Sequence, residues 1–390
     1  MPSLKEDPFL AYDFVVIGGG MAGVSVADAL AGGARVALLE SERHLGYHST
    51  ARSAALFAPA YGSDTFRALT QASEPFLSSP PGGEFPATLL RARGALLIAR
   101  ADQLPSLEAE IGGVERSGVR IERLSAAQAR SRVRPLRADY VCAAAYEPGV
   151  RDIDVDGLFQ GFVRRAKSAG VRFFSGADFG GVQWHAGLWH LQLGAQSLRA
   201  PVVVNAAGAW AELIAARFGA APLGLEVLRR SAALIEAPAG EDVAGWPAVF
   251  DVDDQFYLKP DAGRLLISPA DEEPVAPCDA YADDLTIAVA VERIEAAFEI
   301  DVARVQRTWA GLRTFASDRD PVIGYDARVP GFFWCAGHGG YGIQTAPAFS
   351  ALAAAIAKNE PVPEGLQAAG ITAAAVSPAR FALAAARPRS

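Results

Sequence analysis

A short apolar run that ends in a glycine-rich turn and continues as a helix leaves a chain few folds to choose from. Residues 12–17 (YDFVVI) are almost wholly apolar, as a strand buried on both faces should be. They lead directly into Gly18-Gly19-Gly20-Met21-Ala22-Gly23, a GxGxxG pattern. A helical stretch follows to Leu30, and a second strand over 35–39 ends at Glu40. Gly18 allows the tight turn, Gly20 lets the backbone approach a pyrophosphate, and Gly23 lets helix and strand pack closely. The helix N-terminus presents free N–H groups and a positive dipole end to phosphates. Glu40 lies where a carboxylate can accept hydrogen bonds from both ribose hydroxyls. Strand, glycines, helix, strand and acid in this order predict a bound dinucleotide.

The stretch after Glu40 favours FAD over NAD. A nicotinamide domain would continue with further βα units, but residues 41–55 (SERHLGYHSTARSAA) are rich in Gly, Ser, Thr and Arg. They read as a second element laid against an extended cofactor, with helix-start character near Ser49. His48, Ser49, Thr50, Arg52 and Ser53 are its candidate cofactor contacts. His48 is given an orienting or packing role rather than acid–base work. Residues 202–208 (VVVNAAG) form another buried strand whose small end, Ala207 and Gly208, permits close approach, with a helix from Trp210. No second GxGxxG follows a strand, so a separate NAD(P)H domain is not expected.

Residues 332–336 (FFWCA) read as a buried strand leading into Gly337-His338-Gly339-Gly340-Tyr341-Gly342 and a helix over 344–357. Pro347 is tolerable in a first turn. Four glycines in this loop suggest that something flat comes close to the backbone. Such a helix start would also stabilise the negative charge of a reduced flavin. Gly337, Gly339, Gly340, Tyr341, Gly342, Ile343 and Gln344 are therefore candidate cofactor residues.

Between these blocks, 154–169 has the apolar face of an amphipathic helix (Leu158, Phe159, Phe162, Val163) with Gly170 after its end. Short strands are expected over 171–174, 182–184, 188–193 and 197–204. Residues 84–148 and 216–309 mix strands (95–99, 232–235, 256–259, 265–268) with a helix over 285–297. They are assigned to a second domain inserted twice into a first domain formed by 1–83, 149–215 and 310–390. The fold class is α/β with an α+β inserted domain.

A chain of 390 residues supports two such cores. Its net charge of -8 and scattered basic residues argue against nucleic acid. No run approaches a membrane span, and the first ten residues lack an apolar signal core, so a cytoplasmic protein with no integral membrane segment is expected. Cys142, Cys278 and Cys335 are unpaired in spacing, His44, His185 and His190 lack metal-ligand spacing, and no metal is implied.

Glu40, GYHSTARSAA (46–55), VNAAGAW (204–210), WAGLR (309–313) and GGYGIQT (339–345) together resemble the D-amino acid oxidase/glycine oxidase family, nearest its bacterial D-arginine dehydrogenases. The resemblance runs over nearly the whole chain, including the tail around Ser377-Pro378. It implies a GR2-type, Rossmann-like FAD domain, a substrate domain built on a large mixed sheet, and oxidation of an amino acid. Arg230 and Arg313 occupy positions that clamp the substrate's α-carboxylate. Tyr257 and Tyr61 match tyrosines of the substrate site, and Gly340 and Gln344 match positions beside the reactive carbon. Guanidinium suits this role because it binds carboxylate in two-point, charge-assisted fashion and stays protonated. Some relatives attach flavin to a cysteine near WAGLR; here that neighbourhood reads Arg313-Thr314-Phe315-Ala316, so non-covalent FAD is expected.

Two positions depart from the D-arginine pattern. Ala95 stands where those members hold a glutamate, and Leu56 where they hold a histidine in the active-site loop. A cationic side chain would lack its counter-charge, so neutral or hydrophobic D-amino acids are the expected substrates. Alternatives are a glycine- or sarcosine-type secondary amine oxidase, a flavin 2-hydroxy acid dehydrogenase, and, in another class, a non-catalytic FAD-binding partner protein. The electron acceptor is left open among a quinone, a carrier and O2.

Overall fold

The computed structural model describes residues 9–381, so the reading of the first ten residues as lacking an apolar signal core falls, for residues 1–8, outside the described residues. At its centre is a six-stranded sheet in the order Arg172–Ser175, Val36–Glu40, Phe14–Ile17, Val202–Asn205, Phe332–Ala336, Val322–Tyr325. The first five strands are mutually parallel and Val322–Tyr325 is antiparallel. The period of two in side-chain direction divides its two faces. Phe14, Val16 and Leu38 pack into a core with helices Met21–Leu30, Val155–Ser168 and Ala346–Ala357. Val15, Ile17, Ala37 and Leu39 instead meet Trp189, Leu191 and Leu198 of a four-stranded sheet on the opposite side. The near-continuous apolar composition of these strands follows from burial on both faces.

The four-stranded sheet runs Phe9–Ala11, Gln196–Ala200, Leu188–Leu193, Val182–His185. The single strand expected over 197–204 is in fact two, Gln196–Ala200 and Val202–Asn205, in different sheets. Pro201 stands at the break, where a residue without an N–H cannot extend a ladder. Residues 45–52 form successive turns rather than the helix start expected at Ser49. The last long helix begins at Ala346, two residues later than expected, with Pro347 in its first turn.

A nine-stranded mixed sheet covers the other end of the molecule. Its long strands, Glu226–Glu236 and Val305–Phe315, pair antiparallel along their length. One face of this sheet, through Ala233, Ile235, Leu258, Leu265 and Ile267, packs on helix Asp284–Ala297. The boundary expected between 309 and 310 therefore falls inside a continuous strand. A small three-stranded sheet, Leu56–Phe57, Arg151–Ile153, Leu90–Ala92, pairs with neither of the larger ones.

No helix among the described residues is long and apolar enough to cross a membrane. The central strands dominate the core energetics. Leu38 is fully buried in the helix-facing layer. Leu38→Ala is expected to cost about 2–5 kcal/mol in urea unfolding, the range for a core leucine that leaves a cavity; a loss below about 1 kcal/mol would contradict this packing.

Candidate active site

The register of the large sheet brings the sequence-distant candidates to one face. Arg230 pairs directly with Gly311, and Arg313 lies two residues further on the same strand, so both point the same way. Tyr257 pairs with Ser268 on a neighbouring strand and shares that face, where Ala232, Leu234, Leu266 and Trp309 also pack. This face closes one end of a cavity of about 490 Å³ whose other end is formed by Gly18, Gly20 and Glu40. Between them it is lined by His48, Ser49, Thr50, Arg52, Ser53, Ala207 and Gly208, and by Gly337, Gly339, Gly340, Gly342 and Ile343.

The nucleotide end is shaped by close backbone approach. Gly18 has φ +111°, and a Cβ there would lie 2.4 Å from the carbonyl oxygen of Ala206. A Cβ on Gly23 would lie 1.8 Å from the Gly18 oxygen, so helix and turn touch without side chains between them. At Gly20 the nearest protein atom to a Cβ would be Thr50 Oγ1, at 3.4 Å. Thr50 Oγ1 accepts the amide of Met21 at 3.0 Å, at the start of the helix. The Glu40 carboxylate accepts the amides of Gly19 at 2.6 Å and Glu42 at 2.8 Å. Those bonds hold it beside the glycine turn.

His48 packs against Trp210, with ring centroids 4.5 Å apart, and meets Glu42 through Nε2 at 3.0 Å. Its Nδ1 is buried with no hydrogen-bond partner among the described residues. Ser49 Oγ donates to the carbonyl of Leu312 at 2.6 Å. Arg52 spends its guanidinium on the protein: it pairs with Asp279 and donates to the carbonyls of Ala280 and Ala310. An elongated cavity with a bare glycine turn at one end and an unpartnered buried imidazole nitrogen on its wall fits a dinucleotide of FAD's shape.

The two arginines differ. Arg230 is held at two points, donating from Nε to the Asp271 carbonyl at 2.8 Å and pairing with Glu272 at 3.0 Å. Glu272 also binds Arg319, at 2.9 and 3.1 Å. Burial opposes its charge, but Arg319, Arg230 and Arg313 outweigh it and lower its pKa. Arg313, in contrast, has no hydrogen-bond or ion-pair partner among the described residues. Burial works against its charge, yet Tyr61, Tyr257, Glu272 and Tyr341 raise its pKa, so it remains a cation. Gly340 covers it: a Cβ there would lie 2.9 Å from Arg313 Cζ. An open guanidinium in a cavity is a site for an anion.

Tyr61, Tyr341 and Gln344 lie beside the cavity rather than on its wall. Tyr61 is 44% exposed at the rim, its ring 5.0 Å from that of Tyr341, which in turn stacks on Phe66 at 4.1 Å. Gln344 is buried and accepts the amide of Ala58 at 2.9 Å, tying the loop that carries Tyr61 to the glycine loop. His338 faces the cavity; burial pushes its pKa down to about 4, so it is neutral at pH 7. Cys335 is buried, with its thiol pushed up to about 12.

A six-stranded sheet with a glycine turn at the end of a central strand, joined by one long cavity to a mixed sheet, is the plan of an FAD-binding oxidoreductase. Residues 13–356 match the family described as DAO, FAD dependent oxidoreductase, and the chain belongs to that family. Its cofactor is FAD. FAD-dependent oxidoreductase domain-containing protein 1 of Bos taurus is 25% identical over 392 residues, spanning 86% of this chain and 79% of that protein. Glycine oxidase from Geobacillus kaustophilus shares the fold at 22% identity and a TM-score of 0.78, over 90% of this chain and 95% of its own. L-alpha-glycerophosphate oxidase from Mycoplasma pneumoniae, with FAD bound, does so at 16% identity and 0.80, over 90% and 95%. L-proline dehydrogenase from P. horikoshii does so at 21% and 0.76, over 95% and 98%.

Sequence reasoning missed Glu272 and Glu147, since nothing local marks an acid that meets its partners only through sheet register. Glu147 pairs across strands with Ala95 and sits at the end of its strand, where burial foremost, only partly offset by the Ala60 amide, raises its pKa to about 7. Its Oε1 has no partner among the described residues. Because the folded-state pKa is raised, the unfolded chain loses this proton first. The cost is absent below about pH 4.5 and fully present above about pH 7. Glu147→Gln should therefore gain on the order of 2–3 kcal/mol at pH 8 and nothing at pH 4, read from urea midpoints at the two pH values. Equal shifts at both would show that ionisation is not the cause.

Proposed function

We propose that this protein oxidises α-amino acids, preferentially D-amino acids with neutral or hydrophobic side chains, to imino acids that hydrolyse to 2-oxo acids and ammonia. The observation that carries this reading is Arg313, a cation facing the cavity with no anion of its own among the described residues. A substrate carboxylate supplies that anion through a two-point, charge-assisted contact. Arg230, already aimed by Asp271 and Glu272, offers its remaining N–H groups from the same sheet face.

FAD, when bound, would supply the acceptor for the Cα hydrogen as hydride. The chain's part is to orient and to exclude water. Holding the carboxylate fixes the neighbouring C–H, and such positioning supplies several kcal/mol of a barrier. Tyr257 and Tyr61 flank the clamp, and Gly340 leaves the approach above Arg313 free of a side chain. Neutral His338 is not required as a base; the substrate amine reacts as the free base, so the rate rises with pH. Gly18, Gly20, Gly23, Glu40, His48, Ser49, Thr50, Ser53, Ala207 and Gly208 hold the adenosine and pyrophosphate length of the cofactor. The glycine loop 337–343, which lines the cavity, would face its ring system. Arg52 acts from behind, by fixing the segment on which Ser53 and Ala54 lie. Leu56 and Ala95 carry no charge where the D-arginine pattern has a histidine and a glutamate, which supports neutral substrates.

Anaerobic bleaching of the yellow protein tests the reading, using neutral D-amino acids, D-Arg, D-Lys, glycine, sarcosine and 2-hydroxy acids. Neutral D-amino acids should reduce the flavin fastest. Bleaching by hydroxy acids alone would overturn amino acid oxidation, and the highest kcat/KM with D-Arg would overturn the side-chain preference. Arg313→Ala should raise KM for the best substrate on the order of 10–100-fold, as loss of a charged hydrogen-bond pair implies. An unchanged KM would remove the anchor on which the reading stands.

A further inference from the structure

Directly behind the cavity wall lies a buried cation that the proposed reaction does not use. Lys259 is 8% exposed and lies two residues beyond Tyr257 on the same strand, hence on the same cavity-directed face. Its Nζ donates to the carbonyl of Ala54 at 3.1 Å and pairs with Asp152 at 3.1 Å. Ala54 itself lines the cavity, next to Ser53 and Arg52. Asp152 is cross-strand from Leu56, so the pair sits directly beneath the segment that passes from the cavity wall to the Tyr61 loop.

The charges do not balance. Asp152 is also bound by Arg93, through Nε at 2.7 Å and a second nitrogen at 2.6 Å. Arg93 turns its other nitrogen to the carbonyls of Ala244 and Trp246, away from the cavity segment. One carboxylate thus serves two cations, and among the described residues neither has another acid. A buried charge left over in this way is costly in a low-dielectric wall and acts on whatever lies nearby. A dinucleotide with its adenosine end held by the glycine turn and Glu40 would leave its ring system for the end where Ala54, Tyr257 and Arg313 lie.

We propose that Lys259 is a positioning residue that fixes residues 53–56 through the Ala54 carbonyl and whose surplus positive charge raises the reduction potential of the bound FAD. The charge favours the electron-rich reduced ring system, and the hydrogen bond keeps the segment at its place on the wall. This inference rests on FAD binding and on the orientation of FAD in the cavity, and it is independent of the substrate.

Redox titration of the purified holoenzyme with a dye standard reads the potential, and FAD titration of the apoprotein reads affinity. Lys259→Met is expected to shift the midpoint to more negative values and to weaken FAD binding roughly tenfold, as loss of a charged hydrogen bond implies. Lys259→Arg should restore most of the potential. Asp152→Asn, which removes the only acid of the trio, should shift the midpoint the opposite way. A merely structural role would move both variants in one direction along with their melting temperatures. An unchanged midpoint in Lys259→Met, or shifts of the same sign in Lys259→Met and Asp152→Asn, would overturn the proposal. If Lys259→Met does not retain FAD, the sign in Asp152→Asn and the retention in Lys259→Arg decide it.

Discussion

The pairing of Glu226–Glu236 with Val305–Phe315 is the contact on which the inner end of the cavity depends. Because side chains alternate across a strand, slipping that register by one residue would send Arg313 to the helix-packed face and leave an apolar neighbour in its place. The same alternation fills the far face with Ala233, Ile235 and Ile267, whose burial against helix Asp284–Ala297 penalises any slip. Hydrophobic packing on one side of the sheet therefore specifies the polar arrangement on the other. The arginines need not be selected for stability themselves.

Within that arrangement the charges are graded. Arg230 is tied to Asp271 and Glu272, Arg319 shares Glu272, and Arg313 alone is open. A cavity with every cation paired would offer an anion nothing beyond the contacts it displaces. One with every cation open would carry a large desolvation cost. The mixture keeps a single strong position while anchoring the rest. Arg319, bound to Glu272, is followed in the chain by Asp320, which binds Ser63 and Thr65 at the start of the helix after Tyr61. Rim and clamp thus share one set of buttresses.

What the sequence made legible was local. The apolar strand, the glycine spacing and the acid after it define the βαβ unit within a few dozen residues, and the FFWCA strand with its glycine loop is equally compact. The residues 230, 257 and 313 were reached through the flanking motifs rather than through any periodicity. Lys259, Glu147 and Glu272 were not reached, because the meaning of each comes from residues distant in sequence: Asp152 for Lys259, Arg230 for Glu272, and for Glu147 the burial that the fold imposes. The division of 197–204 was missed for a related reason. Its composition is uniformly that of a strand, and only the proline at its middle signals a change of sheet.

That proline has a consequence for how the protein comes apart. Ala200 ends a strand of the four-stranded sheet and Val202 begins one in the middle of the parallel sheet, so a single residue joins two layers that also share a core through Trp189, Leu198 and Val203. Neither layer can open without pulling the other's strand out of register. The meander and the nucleotide-binding sheet accordingly form one cooperative unit, and exchange of their buried amides with solvent must await a common unfolding event.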